Sequence, residues 1–277
     1  MTAFALGLKA EAAGYRLEQH DTIGSTNAAA MAQARAGDVG RLWVVSDFQS
    51  EGRGRRGSHW ATARGNLAAS LFLRVEAVPG VAATLGFVAG LSLDEALRRV
   101  APGLAVAIAM DGLEPGAGRQ STRLRLKWPN DVLLDGGKLA GILLEAEPLA
   151  DGRLAVVIGI GVNVIEAPSG LPYPTAALAG LGISATAADV FSALSDAWAG
   201  IERIWDGGRG FPRIRDLWLD RAAGVGEEAV VRIGGEILRG RFETIDSEGR
   251  LMIRMEDGTL RPISAGEVHF GAVAARA

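Results

Sequence analysis

The chain has no cysteine among its 277 residues. Disulfides, thiolate metal sites and any mechanism that parks an acyl group on a thiol are therefore excluded. Histidine is scarce, and His20, His59 and His269 are scattered without metal-ligand spacing. No apolar run approaches the roughly 20 residues that span a bilayer. The opening MTAFALGLKAEAAGYRLEQH has an acidic residue soon after its only apolar stretch and no basic leader, so a signal peptide is not expected. A charge excess is missing as well: 29 basic against 32 acidic side chains leave a net charge of −3 and no global pull toward nucleic acid or an anionic membrane. What is present is 48% hydrophobic and 22% charged residues, the composition of a globular protein with a real core, expected in the cytoplasm.

Along the chain, Ser25-Thr26-Asn27 opens an alanine-rich helix ending near Gly37, with Ser25 as a capping signal. Arg41 to Gln49 reads as a buried strand, and a glycine- and arginine-rich loop, Ser50 to Gly65, follows it. Asn66 to Val75 is the next strand and Gly80 to Val100 a core-packed helix. Leu104 to Met110 is expected to be a strand, and Asp111 to Thr122 an exposed loop of turn formers. Then come the strand segments RLRLKW, DVLLD, KLAGILLEAE and RLAVVIGIGVNV, with Asp135-Gly136-Gly137 and Asp151-Gly152 as hairpin turns. Ala187 to Trp205 and Phe211 to Ala222 have helical spacing. Past Gly224 the texture changes to short alternating strands broken by Gly234-Gly235, Ser247-Glu248-Gly249 and Asp257-Gly258. This order predicts an α+β fold: a mixed sheet with helices on one face in residues 1–223, then a small β-barrel in 224–277.

Four segments carry chemistry. In Gly52-Arg53-Gly54-Arg55-Arg56-Gly57, alternate glycines let backbone N–H groups turn toward an anion and arginines add bidentate donors. No Gly-Lys-Ser/Thr follows, so this is not a P-loop; alone, it equally suits a solvated basic loop or a nucleic-acid contact. Lys127-Trp128-Pro129-Asn130-Asp131 puts a lysine at the end of a buried strand, which is costly unless the ammonium meets an anion or snorkels to solvent. Lys138 to Glu145 is a strand with Gly141 where a backbone or ligand comes close. In Gly159 to Val164, Asn163 is a single amide in an apolar strand and needs a partner, which a core position would also supply.

Taken together and in this order, Ser25-Thr26-Asn27, Gln49, GRGRRG with Trp60, KWPND, KLAGILLE and GIGVNV closely resemble the motif series of the biotin–protein ligases. The resemblance runs from about Ser25 to Asn163 and resumes at Pro262 to Val268 in the terminal strands. It implies a biotin/lipoate ligase-like catalytic domain with an SH3-like barrel. It implies that Ser25, Thr26, Asn27 and Gln49 bind the ureido ring of biotin, and that Arg53, Gly54 and Arg55 close over the biotin carboxylate and the phosphates. Lys127 is implied to lie against the reacting carboxylate and α-phosphate, making Lys127 and Arg55 the catalytic pair, with Asn163 near the nucleotide and Trp60 packing the closed loop. Biotin and ATP with Mg2+ are the implied ligands, with no resident metal site; Asp131 reads as a turn acid or a magnesium contact.

The implied partner is a biotin carboxyl carrier protein of acetyl-CoA carboxylase or another biotin-dependent carboxylase, and a homodimer is compatible with the resemblance. Some members carry an amino-terminal DNA-binding domain that makes them repressors. Only 24 residues precede Ser25 here, so the expectation is the catalytic-only form, with no DNA or membrane partner. A lipoate–protein ligase is the nearest alternative, and KWPND with GRGRRG favours biotin. A nucleic-acid-binding module is the alternative from another class; the near-neutral charge and single short basic cluster speak against it.

Overall fold

Residues 3–105, 123–233 and 236–270 are described by the computed structural model of the chain. The remainder of the expected Leu104–Met110 strand, the Asp111–Thr122 loop and the Gly234-Gly235 turn lie outside them. Leu104 itself falls in a short 3-10 turn, Pro102–Ala105, rather than in a strand.

The chain opens with α1 (Leu8–Ala12), β1 (Arg16–His20), α2 (Thr26–Arg35), β2 (Leu42–Ser46) and β3 (Leu67–Val75). α3 (Pro79–Ala83) and α4 (Leu85–Val100) follow, and then the antiparallel run β4 (Leu124–Lys127), β5 (Asp131–Leu134), β6 (Gly137–Pro148) and β7 (Leu154–Val162). These strands form one seven-stranded sheet in the order β1-β2-β3-β7-β6-β5-β4. All its pairings are antiparallel except β1 with β2, which makes the sheet mixed. β1 is too short and polar (RLEQH) to stand out as a strand; what places it is the α2 crossover, which returns β2 alongside it.

Every residue of β2 is buried, because both of its faces are covered. On one side Trp43, Val45, Leu71 and Ile158 pack with α4 and with α5 (Ala187–Trp205), where Trp43 meets Phe191 and Trp198 edge-on at 5.5 and 6.2 Å. On the other, Leu42, Val44, Phe72, Ala155 and Val157 pack against Ala30, Met31 and Ala34 of α2. Helices therefore lie on both faces rather than one. α2 is a single ten-residue helix and shields only part of its face, so the rest is available for a site. The α3–α4 stretch, Pro79–Val100, is long and apolar enough to cross a membrane by length and composition, contrary to the reading of the sequence; here it is buried as a core helix beneath the sheet.

After α6 (Phe211–Leu219) the chain adds a strand-like connection to the open edge of the sheet: Leu126 donates to the Arg221 carbonyl at 2.9 Å and accepts from Ala223 at 2.8 Å. Asp94, 1% exposed in α4, locks this connector through Arg221 at 2.9 Å and Arg98 at 2.8 Å. Such a buried carboxylate is tolerated because two guanidiniums meet it. The second unit is an antiparallel five-stranded sheet of β8 (Glu228–Ile233), β9 (Glu236–Ile245), β10 (Leu251–Arg254), β11 (Leu260–Ile263) and β12 (Glu267–Phe270), ordered β11-β10-β9-β8-β12. Val231, Phe242, Leu251, Ile253 and Val268 form its interior. It is fastened to the first unit where the indole Nε1 of Trp128 donates to the Gly249 carbonyl at 3.1 Å.

Candidate active site

Beyond the reach of α2, one cross-strand row runs over six strands of the sheet: Ser46, Ala68, Gly161, Gly141, Asp131 and Lys127 are successive register partners. Side-chain alternation turns all six toward the same face. Small residues in the middle leave a trough that ends in charge, and a cleft of about 920 Å³ lies over it. That is the size of a site for a small-molecule substrate.

The glycines of GIGVNV and KLAGILLE have individual reasons. A Cβ on Gly159 would lie 2.2 Å from the Asn27 Oδ1, and one on Gly161 would lie 2.4 Å from the Trp60 ring. One on Gly141 would also meet that ring, at 3.0 Å. Trp60 thus lays its indole on a glycine floor and anchors the arginine–glycine loop to the sheet. The loop is further closed by Gly54 N–H to the Ser58 carbonyl at 2.7 Å and Trp60 N–H to the Gly52 carbonyl at 2.9 Å.

At one end of the cleft is a neutral, hydrogen-bonded slot. Ser25 caps α2 by accepting from the Ala28 N–H. The Thr26 N–H and hydroxyl donate to the Gln49 Oε1 at 2.8 and 3.0 Å. Ser70, fully buried on β3, lies 2.7 Å from the Thr26 hydroxyl and 2.5 Å from the Asn27 Oδ1. The Asn27 amide donates to Glu145 at 2.7 Å, and the same carboxylate oxygen stands 3.5 Å from Arg53.

The other end is charged. Arg55 donates to the Asn130 Oδ1 at 3.2 Å, and Asn130 donates in turn to the Ile142 carbonyl at 2.7 Å, so the loop rests on the KWPND turn. That turn contains a cis Trp128-Pro129 peptide. Lys138 reaches Asp131 at 2.8 Å and lies over the rings of Trp60 and Tyr173 at 5.6 and 5.7 Å. Lys127 is held below the ordinary lysine range, chiefly by burial and also by the nearby Lys138 charge, while Asp131 and Glu267 oppose the shift. A buried ammonium with a like charge beside it is a site for an anion.

Ser25, Thr26, Asn27, Gln49, Arg53, Gly54, Arg55 and Lys127 all line the one cleft. Asn163 is not on its wall: 2% exposed, it donates to the carbonyls of Lys138 at 3.3 Å and Ala176 at 3.1 Å, pinning β6 to the segment after β7. Reading the sequence missed Lys138, Ser70, Glu145 and Tyr173, and missed that the barrel supplies Glu267 and His269 to the wall. Lys138 has no local signal of its own, since it reads as one more strand residue until β5 and β6 pair. Glu267 falls in the Pro262–Val268 stretch of the resemblance and His269 just beyond it, but nothing local puts either at the cleft, since their place depends on how the two sheets dock.

Residues 24–163 match the biotin/lipoate A/B protein ligase family and residues 225–271 the biotin protein ligase C terminal domain. The chain is 40% identical over 253 residues to the biotin–[acetyl-CoA-carboxylase] ligase of Paracoccus denitrificans, covering 89% of this chain and 97% of that protein. It is 36% identical over 265 residues to the enzyme of the same name from Mycobacterium tuberculosis, covering 92% and 90%. Among solved structures, the biotin protein ligase from Aquifex aeolicus in complex with biotin and ATP superposes with a TM-score of 0.70, covering 92% of this chain and 98% of that one; at 23% identity this likeness speaks for the fold alone.

Proposed function

This chain belongs to the biotin/lipoate A/B protein ligase family, and on that premise we propose that it activates biotin with ATP and transfers biotin to a lysine of a biotin carboxyl carrier protein, the carrier of acetyl-CoA carboxylase or of another biotin-dependent carboxylase. The observation that carries this reading is the joining, in one cleft, of a neutral polar slot and a charged end around Lys127 and Lys138. A urea ring has both donors and acceptors and suits Thr26, Asn27 and Gln49, whereas a dithiolane would leave such groups unpaired. The valeryl chain would then run past the Trp60 indole that covers the Gly141–Gly161 floor, bringing its carboxylate to Lys127 and Arg55.

In the first step a carboxylate oxygen attacks the α-phosphorus of ATP, the P–O bond to the β-phosphate breaks, and pyrophosphate leaves. Lys127, Lys138 and Arg55 offset the charge that two approaching anions bring together, which is the main work the residues have to do. Mg2+ enters as part of the ATP substrate. Among the described residues no three acidic or histidine side chains form a metal cluster, and Asp131 and Glu145 are already engaged by Lys138 and Arg53. An ion carried mainly on phosphate oxygens fits this donor set. In the second step the carrier amine attacks the biotinyl carbonyl and AMP leaves.

The test is ATP–pyrophosphate exchange without carrier, run with biotin, lipoate and octanoate side by side. Biotin alone should support it. Exchange with lipoate but not biotin would move the assignment to a lipoate ligase.

A further inference from the structure

The cleft wall contributed by the barrel holds an ionisable pair that the activation step does not use. Gly266 to Phe270 all border the cleft; within this stretch Val268 belongs to the barrel interior and is 2% exposed, so strand alternation puts Glu267 and His269 on the opposite face of β12. His269 Nε2 lies 3.5 Å from the Glu267 carboxylate, an arrangement that favours the tautomer protonated at Nε2 and leaves a lone pair on Nδ1. The imidazole faces Lys127 from β4, Glu267 from its own strand and Arg232 from β8.

We propose that His269 is the proton acceptor for the carrier lysine in the transfer step, so that the barrel supplies a catalytic group and not only a cover. The proposal rests on the ligase reading above. In the step, the lysine nitrogen forms a bond to the biotinyl carbonyl carbon and the bond from that carbon to the AMP phosphate oxygen breaks. The leaving electron pair departs with AMP. Of the two protons that the lysine ammonium sheds in becoming an amide, the one that frees the attacking lone pair passes to His269 and then to water, and the second leaves the amide nitrogen to solvent as AMP departs. Burial, with the Lys127 and Arg232 charges, holds His269 below the ordinary histidine range, while Glu267 opposes them, so the ring is a free base at neutral pH. The other basic groups on the wall are less suited. Lys127 has to stay charged toward the phosphate, and Asp131 is engaged by Lys138. His59 is exposed on the arginine–glycine loop, whose backbone bridge joins it to Arg53.

The experiment preforms biotinyl-adenylate on the full chain and follows single-turnover transfer to the carrier domain, alongside pyrophosphate exchange, for the parent, His269→Gln, His269→Asn and His59→Gln. Loss of the base should slow transfer by about 10²-fold, the lower end for general-base catalysis, and should lower the ratio of transfer to exchange by at least about tenfold. Parent transfer should level off above an apparent pKa that matches the His269 titration followed by NMR, whereas the variants should keep gaining rate with pH as the carrier amine ionises unaided. The proposal is overturned if both His269 variants lose transfer and exchange in equal measure, or if the parent's pH profile shows no ionisation matching that of His269. Absence of biotin-dependent exchange in the parent would instead sink the ligase reading, so the two failures are distinguishable.

Discussion

The two ends of the cleft are built on opposite principles. At the slot, Ser25, Thr26, Asn27 and Gln49 are each no more than 9% exposed; Thr26, Asn27 and Gln49 are tied to one another or to Ser70 and Glu145, and Ser25 is held by the Ala28 N–H. At the charged end, the Lys138 and Asp131 side chains are about one-fifth exposed, and Lys127 carries an unfavourable charge. A preformed neutral slot holds its ligand without rearrangement and can distinguish one heterocycle from another. An end with surplus positive charge is satisfied only when anions arrive, so its interactions strengthen where charge is brought together. Under the proposed function, the difference gives recognition to one end and reaction to the other.

The largest break in that comparison should come from Lys127→Ala, expected to lower biotin-dependent exchange by about 10²–10³-fold, the scale for removing one preorganised charge-stabilising group. A rate within a few-fold of the parent would make Lys127 structural. Its ionisation gives a sign as well. The lysine works protonated and its pKa is lowered, so kcat/KM for adenylation should fall as pH rises through a value below the ordinary lysine range. A flat profile up to that range would contradict the assignment.

Arg55→Gly should come next. It removes charge-assisted contacts of about 1.5–3 kcal/mol, so adenylate should escape faster and label exposed lysines on unrelated proteins; an unchanged release rate would make the loop a fixed cradle without a retaining role. Gly161→Ala should act through Trp60, whose ring stands 2.4 Å from the added Cβ. Overpacking of about 1–3 kcal/mol is expected, seen as a lower midpoint in urea together with faster adenylate loss. The smallest functional effect should be that of Asn163→Ala. With its amide committed to two carbonyls, its loss should destabilise the fold by about 1–3 kcal/mol and change KM for ATP by less than about twofold. A large rise in that KM would return Asn163 to the nucleotide site.

The frame of the slot was legible because it is local, a cap, an alanine-rich helix and a glutamine at the end of an apolar strand; its partners Ser70 and Glu145, on β3 and β6, were not, and its binding role came only from the resemblance. The glycines in GIGVNV were visible as breaks in strand character, but their causes, Asn27 over Gly159 and Trp60 over Gly161, lie more than 90 positions away. The charged end was only half legible. Lys127 stood out at a strand end, while Lys138 looked like any strand residue until β5 and β6 paired and set it beside Asp131. Glu267 and His269 could not be placed, since period-2 alternation gives the side of a strand but not the surface against which a second sheet docks. β1 was hidden because its parallel pairing with β2 crosses a helix, α2, which packs on the Leu42 and Val44 face of the sheet.

Calorimetric titration of biotinol, which keeps the ureido ring and replaces the carboxylate by an alcohol, separates the two ends most directly when the parent is compared with Thr26→Val and Lys127→Ala. Thr26→Val removes the hydroxyl shared by Gln49 and Ser70, while the residue 26 N–H still reaches Gln49 and Asn27 still meets Ser70, and should weaken biotinol by about 1 kcal/mol, roughly fivefold. Lys127→Ala should leave biotinol affinity within about twofold, because the charge it lost has no anion to meet. If Lys127→Ala weakens biotinol as much as Thr26→Val does, recognition and reaction are not divided between the two ends of the cleft.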